Sequence, residues 1–257
     1  MDVRLYCFAH AGAGVSSFGR WPRRCGPGVE VVPMLLPGRD SRRHEPRPTG
    51  RRALLDALFD DIAGAAADGP YVFYGHSLGG MVAHTLTRAL LDAGLPGPRL
   101  LAVGGCPAPH TVRAAAATDD LGDDELLRFV GDVGSAPDGA LAEPDSVWHR
   151  TVLPVLRDDL KLARSLRAAA LDTGGRLPVP VLAVGGSHDP VVGARALDGW
   201  QRWTDERCVR RTVPGDHFFV RGPELPRLIG RACRVAARID ASRVPLAAGA
   251  PTSRPAP

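Results

Sequence analysis

Short apolar, β-branched runs alternate along this chain with longer stretches whose apolar positions recur near helical spacing. Val3–Phe8, Glu30–Leu36, Tyr71–Tyr74, Arg99–Gly104, Val179–Gly185 and Cys208–Val213 read as strands. Most are continuously apolar rather than alternating, as expected when both faces of a sheet are covered. Ser17–Cys25, Arg51–Ala67, Leu78–Ala93, Ala194–Trp203 and Glu224–Ile239 read as helices. In the third of these, Met81, Val82, Leu86, Ala89 and Leu90 mark one face and Gly94 supplies the stop. Strand alternating with helix implies an α/β fold built on a doubly wound, mostly parallel sheet.

One connection breaks the rhythm. Gly104 and Val179 are 75 residues apart, where a crossover needs only about a dozen. Within it, Asp123–Val130 and Val147–Ala169 look helical, and Gly131–Pro144 is a Gly/Pro/Asp-rich break. The reading is a helical cap (lid) inserted at about 107–175, over the sheet edge where open α/β sheets bind ligands. Packing helices with no gating role are the alternative. A single domain then spans 1–240, and the Ala/Pro-rich residues 241–257 are expected to be disordered.

Composition narrows the function classes. The net charge of +4 invites a nucleic-acid reading, but the basic residues are scattered, all arginine except Lys161, and form no long run. Five widely spaced cysteines without a C-x-x-C pair argue against a disulfide framework or zinc site and for a reducing compartment. Met1 leads almost at once into a strand, leaving no room for a signal peptide, and no apolar run is long enough to span a bilayer. A cytoplasmic monomer, bound to neither membrane nor nucleic acid, is expected.

The chemistry gathers at Gly75-His76-Ser77-Leu78-Gly79, which stands between a strand and a helix. Strand, G-x-S-x-G, helix is the context of a nucleophile elbow. Its strained turn needs neighbours nearly free of side chain, which Gly75 and Gly79 supply. Such a serine needs a base, and the base an orienting acid, in the chain order Ser, Asp/Glu, His on loops after later strands. Asp189 follows the strand ending near Gly185, and His217 follows the final strand. Among the other histidines, His76 is read as a packing neighbour, His188 adjoins Asp189, and His44, His84, His110 and His149 lie before the required position. Asp216 and the Asp158-Asp159 pair are the rival acids. The oxyanion hole is expected to combine the amide of Leu78 with one from the small-residue loop Phe8–Gly14, with Ala11 as donor. That loop also looks like a phosphate cradle, but no G-K-[ST] or G-x-G-x-x-G accompanies it, so no nucleotide cofactor is expected.

At this point the chain resembles a known family, the type II (external) thioesterases of polyketide and nonribosomal peptide assembly lines, with the α/β-hydrolase fold. The resemblance rests on His10-Ala11-Gly12, Leu36-Pro37-Gly38-Arg39, Gly75 through Gly80, Leu153 through Asp159, Gly185 through Pro190 and Gly215 through Phe219, in family order over roughly residues 3–235. It departs at Cys7-Phe8-Ala9 and at Gly104-Gly105-Cys106. The resemblance implies hydrolysis of acyl or aminoacyl thioesters on the phosphopantetheine arm of an acyl carrier protein or peptidyl carrier domain. It implies Ser77 as nucleophile, Asp189 as orienter, His217 as base, Ala11 and Leu78 as oxyanion amides, and no cofactor beyond the arm that the substrate itself carries. Arg39 and the Arg42-Arg43 pair are expected near the mouth of the cleft, offering a local positive field to an acidic carrier. The rivals are an esterase or lipase acting on free esters, a product-releasing thioesterase, for whose carrier domain the chain leaves no room, and a non-catalytic carrier-binding module.

Overall fold

A computed structural model describes residues 2–111, 122, 126 and 148–243. Six parallel strands, β1 (Val3–Phe8), β2 (Val29–Met34), β3 (Tyr71–His76), β4 (Leu101–Gly104), β5 (Val181–Gly186) and β6 (Cys208–Val213), pair in the order β2-β1-β3-β4-β5-β6. The α-helices are α1 (Trp21–Cys25), α2 (Arg51–Ala67), α3 (Leu78–Asp92), α4 (Leu153–Thr173), α5 (Ala194–Asp198) and α6 (Glu224–Arg243).

Both sheet faces are covered, and the period of two along each strand sorts the side chains between them. Tyr71, Phe73, Leu101, Val103, Val181 and Ala183 pack into one core with Leu54 and Leu58 of α2, Met81 and Leu86 of α3, and Leu162 and Leu166 of α4. Their neighbours Val72, Tyr74, Ala102, Leu182 and Val184 face the other core, with Trp21 of α1 and Leu225, Ile229 and Cys233 of α6. That double burial is why the central strands β3, β4 and β5 read as apolar runs, whereas the edge strands β2 and β6 carry Glu30, Arg210 and Arg211.

Several boundaries move for local reasons. The stretch 17–25 is two pieces, a 3₁₀ turn at Val15–Phe18 and then α1, because Pro22 lacks the N–H a continuing helix needs but fits a first turn. The stretch 194–203 likewise divides into α5 and a 3₁₀ turn, Gly199–Trp203. β2 ends at Met34, releasing Leu35 and Leu36 toward the Pro37-Gly38 corner, and β5 starts after Pro180, which has no amide to give the ladder. α4 follows a π-helical turn, Trp148–Val152, and runs past Ala169 to Thr173. α6 runs from Glu224 to Arg243. The readings Asp123–Val130 and Gly131–Pro144, and with them part of the expected cap, lie outside the described residues, apart from residue 126.

The topology fixes where a site can form. β1 lies between β2 and β3, and the helices that follow β1 and β3 cover opposite faces. The strand order therefore reverses at β1/β3, and a crevice opens beyond the C-terminal ends of these two strands. The Ala9–Ala13 loop and Ser77 are the residues placed there.

Candidate active site

Ser77 occupies the corner between β3 and α3 with φ 53° and ψ −115°. Among the described residues only Asp40 is another non-glycine with positive φ. A serine in this region is strained, and such strain persists only where the surroundings impose it. They do so here by close backbone approach. A Cβ on Gly75 would fall inside the backbone of Gly79, and one on Gly79 would fall on the Phe8 carbonyl of β1. Ser77 is further tied by its amide to the Gly104 carbonyl at 2.8 Å and by its carbonyl to the Gly80 amide at 2.9 Å. Leu78 begins α3, so its N–H has no carbonyl one turn earlier to receive it and lies at the positive end of the helix dipole.

Across the crevice, Asp189 and His217 meet. Asp189 Oδ2 lies 2.9 Å from His217 Nδ1, and neither side chain is more than 8 % exposed. The other carboxylate oxygen accepts the Val191 and Val192 amides at 2.8 and 3.0 Å. Burial pushes this carboxyl up, but the His217 hydrogen bond, its charge and the two amides outweigh burial and leave the pKa below its ordinary value. An ionised carboxylate can only accept, so Nδ1 carries a proton, and in the neutral ring Nε2 is left with a lone pair.

His76 does more than pack. Its Nε2 lies 2.7 Å from the His217 carbonyl, which can only accept, so Nε2–H donates and Nδ1 accepts from the Tyr74 hydroxyl at 2.8 Å. The residue preceding Ser77 thereby holds the backbone of His217, and their ring centroids are 5.6 Å apart. Burial, with nearby His217, His10 and Arg221, drives its pKa well down, so it stays neutral and keeps this tautomer. Sequence position alone could not reveal this latch, because His217 is remote in the chain. The nearest signal was an imidazole at the end of a strand that is buried throughout.

The rival groups are engaged elsewhere. Asp216 Oδ1 accepts the Phe218 amide at 2.7 Å, Asp158 pairs with Arg47 at 2.7 Å, and Asp159 is bound to Arg39. His188 Nδ1 meets Ser187 Oγ at 2.8 Å. His84 is buried between Trp200 and Trp203, with its pKa lowered by burial to about 4. The expectation for Arg39 is corrected. It does not stand at a cleft mouth but is 7 % exposed inside a buried ion pair. Arg42 pairs with Glu45, and only Arg43 of the three is exposed.

Ala11 and Gly12 are the middle of a turn closed by the Ala13 amide on the His10 carbonyl at 3.1 Å. Gly12 has φ 78° and Ala11 is not left-handed, which makes the turn type II. The turn starts two residues beyond β1, beside the corner that holds Ser77.

A strained serine between two glycines, on a strand–helix corner at the switch point of a parallel sheet, defines an α/β hydrolase. Within that class the chain belongs to the thioesterase domain family, whose model matches residues 3–233. It is 30 % identical over 220 residues to the thioesterase PikA5 of Streptomyces venezuelae, covering 85 % of this chain and 75 % of that protein. RedJ, a thioesterase from the prodiginine biosynthetic pathway of Streptomyces coelicolor, superposes with a TM-score of 0.79 at 32 % identity, over 89 % of both chains. YbtT, a type II thioesterase from the yersiniabactin NRPS/PKS pathway, superposes with a TM-score of 0.78 at 25 % identity, over 91 % of this chain and 94 % of that one. The reaction class is therefore thioester hydrolysis.

Proposed function

We propose that this enzyme removes acyl or aminoacyl groups from the phosphopantetheine arm of a carrier protein or carrier domain, as an editing enzyme of an assembly line in the cytoplasm. Three features support this chemistry: the strained Ser77 at the strand–helix corner, the Asp189–His217 hydrogen bond, and His76, the residue before Ser77, bonded to the His217 carbonyl. His217 Nε2 accepts the Ser77 proton as Oγ attacks the thioester carbonyl, and Asp189 stabilises the imidazolium. The tetrahedral oxyanion receives the Ala11 and Leu78 amides, the latter backed by the dipole of α3. Collapse breaks the C–S bond, and His217 returns its proton to the departing thiolate. His217 then deprotonates a water that attacks the acyl-serine, the second intermediate collapses, and the free acid leaves with Ser77 restored. The cleft-side positive field assigned to this chain falls chiefly on exposed Arg43, since Arg42 is already neutralised by Glu45.

One acyl group offered on a carrier protein, on a small thiol and as an oxygen ester tests this reading. The carrier-bound substrate is to give the highest kcat/KM, with an advantage that shrinks as salt rises and in Arg43→Glu. Equal efficiency on all three at low salt would return a free-ester hydrolase to first place.

A further inference from the structure

Leu36-Pro37-Gly38-Arg39 and Arg157-Asp158-Asp159 have no part in the chemistry above, yet the fold brings them together. Asp159 of α4 is 1 % exposed and faces Arg39 in a two-pronged pair, Nη2 to Oδ1 at 2.6 Å and Nη1 to Oδ2 at 3.0 Å. Arg39 Nη1 also donates to the Ala13 carbonyl at 2.9 Å. Asp159 Oδ2 accepts the Gly12 amide at 2.7 Å. Both buried charges therefore end on the His10–Ala13 turn. Leu156 and Val152, one and two turns earlier along the same helical path, line the space beside Gly12.

Stability alone does not account for the arrangement. Burying two ions is costly, and apolar residues of similar volume often stabilise a core as well or better. What an apolar pair could not do is set the direction of a peptide group. Type II and type I turns with the same ends differ by a half-rotation of the central peptide, here the one joining Ala11 to Gly12. Flipping it would replace the Gly12 N–H at Asp159 with the Ala11 carbonyl and set two negative oxygens against each other in a buried site. Arg39 pins the following carbonyl as well.

We infer that Asp159, with Arg39, is a positioning residue that preorganises the oxyanion loop, locking Gly12 N–H and Ala13 C=O so that the adjacent Ala11 amide is aimed before substrate arrives. The inference rests on the reading of Ala11 as an oxyanion donor. Preorganised donors count because they need no reorientation as charge develops, and loss of one whole donor typically costs about 10²–10³ in kcat.

Two double variants isolate the claim. Arg39→Gln with Asp159→Asn removes the charges but leaves a carbonyl oxygen to accept the Gly12 amide. Arg39→Met with Asp159→Leu removes the charges and the acceptor. The apolar pair is to show kcat at least tenfold below the amide pair, with KM within threefold and the pH profile of the base unmoved. Its affinity for an acyl-mimicking boronic acid, which forms a tetrahedral adduct, is to fall in step with kcat. Equal kcat and equal boronate affinity in the two variants would overturn the inference. A measurement on the unaltered protein stands beside them should either variant not fold. The Gly12 amide proton is to resonate downfield and resist hydrogen exchange, and exchange at the rate of an open loop would equally overturn it. Ser77→Ala is run in parallel. Turnover surviving in Ser77→Ala means that the parent reading has failed, whereas indistinguishable double variants with strict Ser77 dependence remove only the positioning role.

Discussion

Replacing Asp189 by asparagine changes one oxygen to nitrogen, and the contacts around it dictate the outcome. Val191 and Val192 both donate to one carboxylate oxygen at 2.8 and 3.0 Å, so an asparagine must keep its carbonyl there and turn its NH₂ toward His217. His217 Nδ1, 2.9 Å away, can then only accept. The ring proton moves to Nε2, which then carries a proton and cannot take one from a serine. A triad carrying this change in tautomer loses about 10⁴ in kcat, equivalent to roughly 5 kcal/mol of transition-state stabilisation. We expect a fall of about 10³–10⁴ in kcat for Asp189→Asn, with KM within about threefold because no substrate contact is removed. Steady-state hydrolysis of an acyl thioester, with a far-UV spectrum to verify the fold, measures both. Asp158→Asn and Asp216→Asn, whose carboxylates are held by Arg47 and the Phe218 amide, should fall far less. A loss below tenfold for Asp189→Asn, or a larger loss in either control, would refute the assignment.

Gly79→Ala should destabilise the fold by about 3 kcal/mol or more, since the new methyl group meets the rigid β1 backbone at Phe8 rather than a movable side chain; calorimetry should show a drop of roughly 6–12 °C in Tm. Acid should weaken the fold through its buried imidazoles: burial lowers His10 to about 3 and His84 to about 4. Their stabilisation is complete above the unfolded value near 6.5 and is lost as pH falls toward those folded values, about 2 kcal/mol each between pH 7 and pH 5. Urea midpoints that stay level over that range would contradict it. Tyr74→Phe removes the donor that fixes the His76 tautomer, and should lower kcat by about tenfold through a looser His217 loop; an unchanged kcat would show that the latch holds without it.

The elements that cross the core were legible because both faces of the central sheet are buried, so β3 and β4 are dominated by apolar residues and β1 is broken only by Arg4. The Ser77 corner was legible for a related reason. Gly75 and Gly79 are demanded by backbone collisions that leave a five-residue signature. Element ends were harder, since they depend on where Pro22, Gly199 or Pro180 breaks a hydrogen-bond ladder. Remote contacts outside the Ser, Asp, His order were hidden. Arg39 looked like a surface charge because its partner lies 120 residues away on α4, and nothing local distinguishes a buried arginine from an exposed one. His76 was visible as part of the motif, but its grip on the His217 carbonyl exists only once β3 and the loop after β6 come together.

Trapping the acyl-enzyme tests the role of Ser77 most directly. The protein is mixed with an acylated carrier, acid-quenched within the first turnover, and its peptides are read by mass spectrometry. Up to one acyl group per chain is expected, carried on Ser77, formed in a burst that releases carrier thiol and absent from Ser77→Ala. Hydrolysis without an adduct would contradict it. So would an adduct on another residue such as the neighbouring Cys106, whose thiol burial pushes up to about 12 and so keeps protonated.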